Sequence, residues 1–265
     1  MLNNFNKFMF KFGLKLWSKN TNYIDSAIKL YDLGLYSYIE LFAVPNSYKE
    51  FVKFWQNLKI PYIIHAAHSM TGLNFAKREF FQNNVLLAKE AFDFANTLNA
   101  KFVIFHPGIN GEIKETCYQI NQLSNKNIID VNKALIENKP YYGIVDNVTC
   151  VGSQPKEVEF IIKNTNIGFC FDIAHAIYSA NAHKKDIFEF LNQFNKLEPK
   201  IYHVADGDFN GVLDEHKNIG HGNFDFKKIL NLLSKDSFVT LETKKNFQDN
   251  LKDFEQDINK LKLIV

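Results

Sequence analysis

Apolar and polar positions follow two recurring rhythms along the chain. Short apolar runs alternate with longer segments in which apolar side chains return every three or four positions. Unbroken apolar runs are typical of buried parallel strands, and the wider spacing is typical of helices with one buried face. The pattern predicts strands at residues 12–17, 36–43, 60–68, 102–106, 142–148, 167–172, 201–205 and 238–242. It predicts helices at residues 23–33, 48–58, 74–98, 116–138, 155–163, 186–194, 224–233 and 246–263.

The alternation of eight strands with eight helices predicts a single α/β domain, a (β/α)8 barrel that spans residues 1–265. Strands that alternate with helices pair in parallel through right-handed crossovers. A length of 265 residues with 46% hydrophobic content suits one large core. The longest irregular segment, residues 206–223, follows the seventh predicted strand, and loops of that length usually carry function.

Composition excludes several classes of protein. The net charge is +2 and Arg78 is the one arginine, so tight binding of a polyanion by bulk charge is not expected. Cys117, Cys150 and Cys170 are widely spaced, which argues against a disulfide framework or a thiolate zinc site. No apolar run suits a secretory leader or a membrane span. We therefore expect a cytoplasmic protein with no membrane partner, and no obligate protein partner is evident.

Histidines and carboxylates gather where the predicted strands end. In a (β/α)8 barrel the carboxyl ends of the strands form the catalytic face. Seven of the eight histidines fall there. The side chains are His65, His68, His106, Asp146, Asp172, His175, His203, Asp206, Asp214, His216 and Glu242, with His221 in the loop. Imidazoles and carboxylates without thiolates suit zinc, manganese or iron, and so many ligands predict more than one divalent ion.

Some of these residues have simpler interpretations. His65 and His68 are three positions apart and cannot both point into the barrel from one strand, so we favour His68 as the ligand and His65 as a packed histidine. Glu40 is interpreted as a solvated or salt-bridged carboxylate, with contact to a substrate as the lesser alternative. Weaker candidates for substrate contact are Asn74, His221 and Lys244, and the role of Lys15 stays open.

Three motifs together resemble the endonuclease IV family (AP endonuclease family 2), within the xylose isomerase-like TIM barrel superfamily. His68-Ser-Met-Thr-Gly-Leu-Asn74 is similar to the first signature of that family, and Gly168-Phe-Cys-Phe-Asp-Ile-Ala-His175 is similar to the second. The segment from His203 through Asp214-Glu-His216 to Gly220 resembles the third. The order of strands matches along essentially the whole chain.

The resemblance implies three zinc ions and hydrolysis of a phosphodiester. His68, His106 and Asp146 would hold the first ion. Asp146, Asp172, His203 and Glu242 would hold the second, with Asp146 and Glu242 catalytic. The third set is His175, Asp214 and His216. Metal ions of this kind make water a nucleophile at neutral pH and neutralise phosphate charge.

The chain also departs from that family. Asp146 stands where the family has Glu, and Glu215 stands where it usually has Arg. The loop at residues 42–48 lacks the basic and aromatic residues that the family inserts into DNA. Cleavage at abasic sites in DNA is therefore weakly supported, and a smaller phosphoester is a further candidate substrate.

Two other interpretations stay open. One is a sugar or sugar-phosphate isomerase or epimerase with one divalent ion on Asp146, Asp172, His203 and Glu242, in which Glu242 acts as a base. The other is a metal-free barrel that retains the ligand residues. The metal content would distinguish the hydrolase from the isomerase: about three equivalents, mostly zinc, favour the hydrolase, and a single manganese, cobalt or magnesium ion favours sugar chemistry.

Overall fold

Eight parallel strands close into a barrel in the computed structural model, which describes residues 10–264. Residues 1–9 and 265, which the predicted domain includes, lie outside the described residues. The strands are paired in chain order, and the last pairs with the first. They are β1 (Lys11–Trp17), β2 (Tyr38–Phe42), β3 (Tyr62–His65), β4 (Val103–Phe105), β5 (Ala134–Glu137), β6 (Gly168–Asp172), β7 (Ile201–Val204) and β8 (Phe238–Leu241). The predicted (β/α)8 barrel is confirmed.

Helices surround the barrel and cover its outer face. Among residues 10–264 they are α1 (Ile24–Asp32), α2 (Tyr48–Gln56), α3 (Phe81–Thr97), α4 (Ile113–Asn125), α5 (Pro155–Thr165), α6 (Ile173–Ala182), α7 (Ile187–Asn195), α8 (Phe226–Leu230) and α9 (Lys252–Ile264). Their apolar faces and the outward side chains of the strands form the main hydrophobic core. Helix α6, which begins directly after β6, is absent from the predicted pattern. No helix in the described part of the chain is long and apolar enough to cross a membrane.

The barrel interior has an apolar floor below a polar layer. A separate buried cluster contains Tyr38, Ile63, Ile104, Leu135, Cys170 and Ile201. Side chains from six strands around a closed barrel can meet only inside it. Since residues two apart share one face of a strand, the next inward positions toward the carboxyl ends are Glu40, His65, His106, Glu137, Asp172 and His203. Because side chains two positions apart share a face, the polar layer lies directly above the apolar layer inside the barrel.

Gly13 leaves room in this floor for the ring of Tyr38. A Cβ atom at Gly13 would lie 2.3 Å from Tyr38 Cζ. We expect Gly13→Ala to displace that ring and lower the free energy of unfolding by about 1–3 kcal/mol. Urea denaturation measures this directly. Gly211→Ala is the control, because the nearest atom to its Cβ would be Asp208 O at 3.1 Å; equal losses in both variants would contradict the packing argument.

The fifth strand differs from its prediction. The prediction at residues 142–148 is wrong, because β5 (Ala134–Glu137) lies inside the segment predicted as a helix at 116–138. Helix α4 ends at Asn125, Asn127 takes a left-handed φ of 55°, and the side chain of Asp130 accepts a hydrogen bond from the backbone of Asn132. These polar turn residues end the helix before the strand begins.

Residues 139–152 form a hairpin over the barrel mouth, which we call the mouth hairpin. Lys139 N donates to Gly152 O at 3.0 Å, and Tyr142 bridges Thr149 in antiparallel fashion. Asp146 lies exposed at its tip, next to Asn147 with φ of 61°. Placing Asp146 at a strand end is therefore incorrect, and the fifth strand instead delivers Glu137 to the barrel mouth.

Candidate metal centre

Glu137 lies at the middle of the polar layer and contacts four histidines. Its Oε2 is 3.1 Å from His65 Nε2, 3.3 Å from His106 Nε2 and 3.4 Å from His203 Nδ1. Its Oε1 is 3.1 Å from His175 Nδ1. Only 1% of its side chain is exposed. Glu137 therefore has the central position that the sequence assigned to Asp146. His65 is buried as expected, and it also turns one ring nitrogen toward this carboxylate.

A deep group of ligands lies at the ends of β6, β7 and β8. Asp172 and His203 are register partners on neighbouring strands. His203 Nδ1 is 2.8 Å from Glu242 Oε1 and 4.0 Å from Asp172 Oδ2. With Glu137, these residues offer three carboxylates and one imidazole around a fully buried point. Three of the four residues that the sequence assigned to one ion are thus together, and Glu137 replaces Asp146.

An outer group consists of His175, Asp214 and His216, whose donor atoms lie within 4.8 Å of one another. Asp214 Oδ2 is 3.1 Å from His175 Nε2 and 2.7 Å from His216 Nε2. Asp172 caps α6 by accepting a hydrogen bond from His175 N at 2.7 Å, which fixes the histidine at the helix start. His216 is the most accessible member, with 33% of its side chain exposed.

The loop at residues 206–224 carries Asp214 and His216, and the carboxylate of Asp206 holds it. Asp206 Oδ2 accepts hydrogen bonds from the backbone N–H groups of Gly220 at 2.8 Å and Gly222 at 3.0 Å. Its Oδ1 accepts from Gly207 at 2.8 Å and from Phe224 at 3.2 Å. Charged acceptors make strong hydrogen bonds, so this buried side chain gives a long loop a defined conformation.

His68 and His106 lie on the side of the mouth formed by β2, β3 and β4. The two imidazole rings stack with their centroids 5.8 Å apart. The ring of Phe42 also packs against His68, with a centroid distance of 5.2 Å. Burial and the charge of His65 lower the pKa of His68 to about 4. Burial and the charge of Lys139 hold the pKa of His106 well below its ordinary value. Both imidazoles are therefore neutral at pH 7 and have a lone pair to offer.

The two histidines of the outer group, His175 and His216, face carboxylates, and their pKa values are raised. Burial alone would lower the pKa of His175, but the charges of Asp172 and Asp214 raise it to about 10. In the same way, Asp214 raises the pKa of His216 against the effect of burial. These protons compensate the carboxylates, and a divalent cation would displace them, since metal ligands must be deprotonated.

Two lysines enter the same cluster. Lys15 Nζ is 2.9 Å from Glu40 Oε1 and also pairs with Glu242. Lys139 Nζ is 3.1 Å from Glu137 Oε1. Burial would lower the pKa of Lys139, but the charge of Glu137 raises it above its ordinary value. Both side chains therefore carry a positive charge among the acids.

Glu40 supports His203 from below. Its Oε2 accepts a hydrogen bond from Thr240 Oγ1 at 2.6 Å and lies 2.9 Å from His203 Nε2. Burial opposes ionisation, but the charges of His203 and Lys15 lower the pKa of Glu40 to about 2. Glu40 is 0% exposed and pairs with Lys15, so it is a salt-bridged carboxylate and not a solvated one, and its contact with a substrate stays a prediction.

The donor atoms fit metal ions. Among the described residues, six buried side-chain atoms lack a hydrogen bond of good geometry, and two of them, His203 Nδ1 and Asp214 Oδ1, belong to the ligand groups. Buried polar atoms are nearly always paired, so Asp214 Oδ1 has an acceptor position to offer a cation, and His203 Nδ1 would offer one once it is deprotonated. The two ligand groups consist of imidazole nitrogens and carboxylate oxygens, which are common ligands of catalytic zinc. Cys170 also lies near Glu137 and His203, but burial raises the pKa of its thiol, which keeps it neutral.

The remaining candidates, Asn74, His221 and Lys244, are not members of the ligand groups. Asn74 is buried, where its Oδ1 accepts hydrogen bonds from Ala76 N and Ile109 N and so joins two loops. His221 and Lys244 are exposed. The sequence reasoning missed Glu137 and Lys139. The available signal was the apolar run Ala134-Leu-Ile followed by Glu137-Asn138 and Pro140.

Two adjoining cavities open over these groups, of about 170 Å³ and 470 Å³. Both are lined by His68, His106, Lys139, His175 and His216. The smaller is walled by apolar side chains of the mouth hairpin, Ile144, Val145 and Val148, and by Met70. The larger is bordered by Trp17, Lys244 and Lys245. A substrate would therefore enter between an apolar wall and a weakly basic one.

Comparisons with known proteins agree with this architecture. A family model for the xylose isomerase-like TIM barrel matches residues 29–264. The Staphylococcus aureus protein named "Probable endonuclease 4" is 25% identical over 193 residues, which is 66% of this chain and 62% of that protein. The match thus spans less than two thirds of that relative.

Solved structures of two kinds share the fold. A D-tagatose 3-epimerase-like protein has a TM-score of 0.70 and 20% identity, with 96% of each chain covered. Endonuclease IV from Thermus thermophilus has a TM-score of 0.69 and 19% identity, with 94% of this chain and 99% of that chain covered. At these identities the likeness establishes the fold, and the reaction has to be argued from the site.

Proposed function

Since the chain belongs to the xylose isomerase-like TIM barrel family, we propose that it is a metal-dependent enzyme whose multinuclear centre hydrolyses a phosphoester. The observation that carries the proposal is the presence of two groups of ligands. The deep group (Glu137, Asp172, His203, Glu242) can hold one ion by itself. The outer group (His175, Asp214, His216) is superfluous in a one-ion enzyme and is accounted for by a further ion.

Zinc ions bound by these groups would supply a nucleophile from water at neutral pH and would neutralise the charge of the phosphate. The chain supplies the geometry. Glu40 fixes His203 from below, and the cap formed by Asp172 fixes His175. The loop held by Asp206 brings Asp214 and His216 over the mouth. Rigid support of this kind is what metal centres need for catalysis.

The borders of the site favour a small phosphoester over duplex DNA. Ile144 and Val145 are 64% and 56% exposed at the hairpin tip, and Met70 is 68% exposed. The arginine of the chain, Arg78, lies on a short turn before α3 and does not line either cavity. Affinity for duplex DNA comes chiefly from neutralised phosphates, and this mouth offers few cations for that purpose.

One observation favours a second candidate, a sugar or sugar-phosphate isomerase or epimerase. Glu137 Oε2 and Glu242 Oε1 lie 3.4 Å and 2.8 Å from the same atom, His203 Nδ1. Two carboxylates beside one ion can act as acid and base when a proton moves next to a carbonyl group. The sequence pattern did not predict this pair of glutamates, because it places the fifth strand at residues 142–148 instead of 134–137.

We expect His216→Ala to separate the two candidates. Loss of an outer ligand should lower hydrolysis of p-nitrophenyl phosphate esters about 100-fold and remove the zinc ion of the outer group, while the ion of the deep group stays bound. His221→Ala is the matched control, because His221 is an exposed histidine of the same loop. An unchanged rate in His216→Ala would contradict the hydrolase proposal. Exchange of a sugar C–H proton with deuterated solvent by both the wild type and His216→Ala, without hydrolysis, would establish the second candidate.

A further inference from the structure

Lys139 places its ammonium group inside the ligand cluster. Its Nζ lies 3.1 Å from Glu137 Oε1, 3.3 Å from His106 Nε2 and 3.3 Å from His175 Nε2. Only 13% of the side chain is exposed. One cation is thus surrounded by three residues that would otherwise be available to a metal.

An ammonium group and a divalent ion compete for the same atoms. Lysine has three donors and no acceptor, so Lys139 must point at lone pairs, and the carboxylate and imidazoles around it offer these. Zinc would approach the same nitrogen and oxygen atoms to about 2.0–2.2 Å. An ion at that distance from both His106 Nε2 and Glu137 Oε1 would occupy the space that the ammonium group fills.

The backbone that carries Lys139 is fixed on both sides. Lys139 N donates to Gly152 O at 3.0 Å across the mouth hairpin, and Pro140 follows. Asn138 accepts a hydrogen bond from Asp172 N and donates one to Asp172 O, both at 2.8 Å. The lysine therefore starts from a rigid point beside the ligands.

The charges of the cluster agree with this arrangement. Metal binding would leave the histidines without their extra protons, so that five carboxylates (Glu40, Glu137, Asp172, Asp214 and Glu242) against the ammonium groups of Lys15 and Lys139 leave an excess of three negative charges. Two divalent ions slightly exceed this excess. A third would leave three uncompensated positive charges in a buried site, which is costly.

We propose that Lys139 is a built-in cation that takes the place of one metal ion between His106, Glu137 and His175, so that the chain holds one ion fewer than its ligands allow. This inference rests on the proposed metal centre. It assigns the ions to the deep and outer groups and leaves His68 and His106 facing the substrate cavity.

Lys139→Met tests the inference, because methionine keeps a long, unbranched side chain without the charge. After equilibrium dialysis against zinc, elemental analysis of Lys139→Met should find about one equivalent more than in the wild type. Lys244→Met, which removes an exposed lysine from the same mouth, should match the wild type. The rise in melting temperature on adding zinc is a second readout, and Lys139→Gln is a second variant if methionine impairs folding.

An equal, nonzero zinc content in the wild type and both Lys139 variants would overturn the inference and leave the metal centre intact, because the lysine would then move aside for the ion. Absence of zinc from all of them would overturn the inference together with the metal centre. A gain of zinc in the Lys139 variants alone would support it, whatever the activity.

Discussion

Replacing Glu137 with Gln should remove most of the bound metal and lower the activity by about 100-fold or more. The carboxylate contacts four histidines and Lys139, so its charge serves every part of the centre. Glutamine keeps the shape but offers a single, neutral oxygen. Metal content by elemental analysis and the rate of phosphoester hydrolysis give the result.

The same variant should be less stable even without metal. Breaking a buried ion pair costs about 3–5 kcal/mol, because Lys139 loses its partner. In a chain of this length that corresponds to a fall in melting temperature of about 6–20 °C, measured in chelator. Asp146→Asn is the control, since Asp146 lies at the exposed hairpin tip, and it should leave metal, activity and stability unchanged. Loss of metal in Asp146→Asn, or its retention in Glu137→Gln, would return the central role to Asp146.

Asp206→Asn should disable the outer group while it spares the deep one. The Asp206 carboxylate accepts four backbone N–H groups, and an asparagine amide would turn a donor toward two of them. Hydrogen bonds to a charged group contribute about 1.5–3 kcal/mol each, so the loop at residues 206–224 should lose its fixed conformation. We expect activity to fall about 100-fold with partial loss of zinc.

Limited proteolysis checks the cause. New cleavage between residues 206 and 224 should appear in Asp206→Asn. It should be absent in Asp208→Asn, because the Asp208 side chain accepts a hydrogen bond from Asn210 N within an exposed turn. A protease-resistant but inactive Asp206→Asn protein would mean that Asp206 acts on the site directly instead of through the loop.

Seven of the eight strands could be predicted from the sequence. The candidate ligands at the ends of those strands could therefore be predicted as well. Phe169, Cys170 and Phe171 form an apolar run that is buried on both faces, so the position of Asp172 follows from the pattern. The apolar and polar rhythm also sufficed for the barrel itself, because alternating strands and helices leave few other topologies.

The fifth strand shows where local patterns fail. Ala134, Leu135 and Glu137 favour helices, and they directly continue a helical pattern. Pairing with β4 through Val103 and with β6 through Gly168 makes them a strand, and that information is not local. The segment at 142–148 has strand-forming residues, but it uses them in the mouth hairpin. The role of Lys139 could not be predicted for the same reason, because its contacts with His106 and His175 form only in the folded barrel.

The apolar floor closes the barrel interior on one side, so the polar layer is open only toward the carboxyl ends of the strands. Tyr38, Leu135, Cys170 and Ile201 seal the interior below the polar layer. Whatever reaches the ligands therefore comes through the carboxyl end of the barrel, where the two cavities open. His203 is 0% exposed and lines neither cavity, whereas Glu242, 2.8 Å from its Nδ1, lines the larger one. Exchange at the proposed deep group would therefore be sequential, because an ion or a proton would pass the residues of the mouth first.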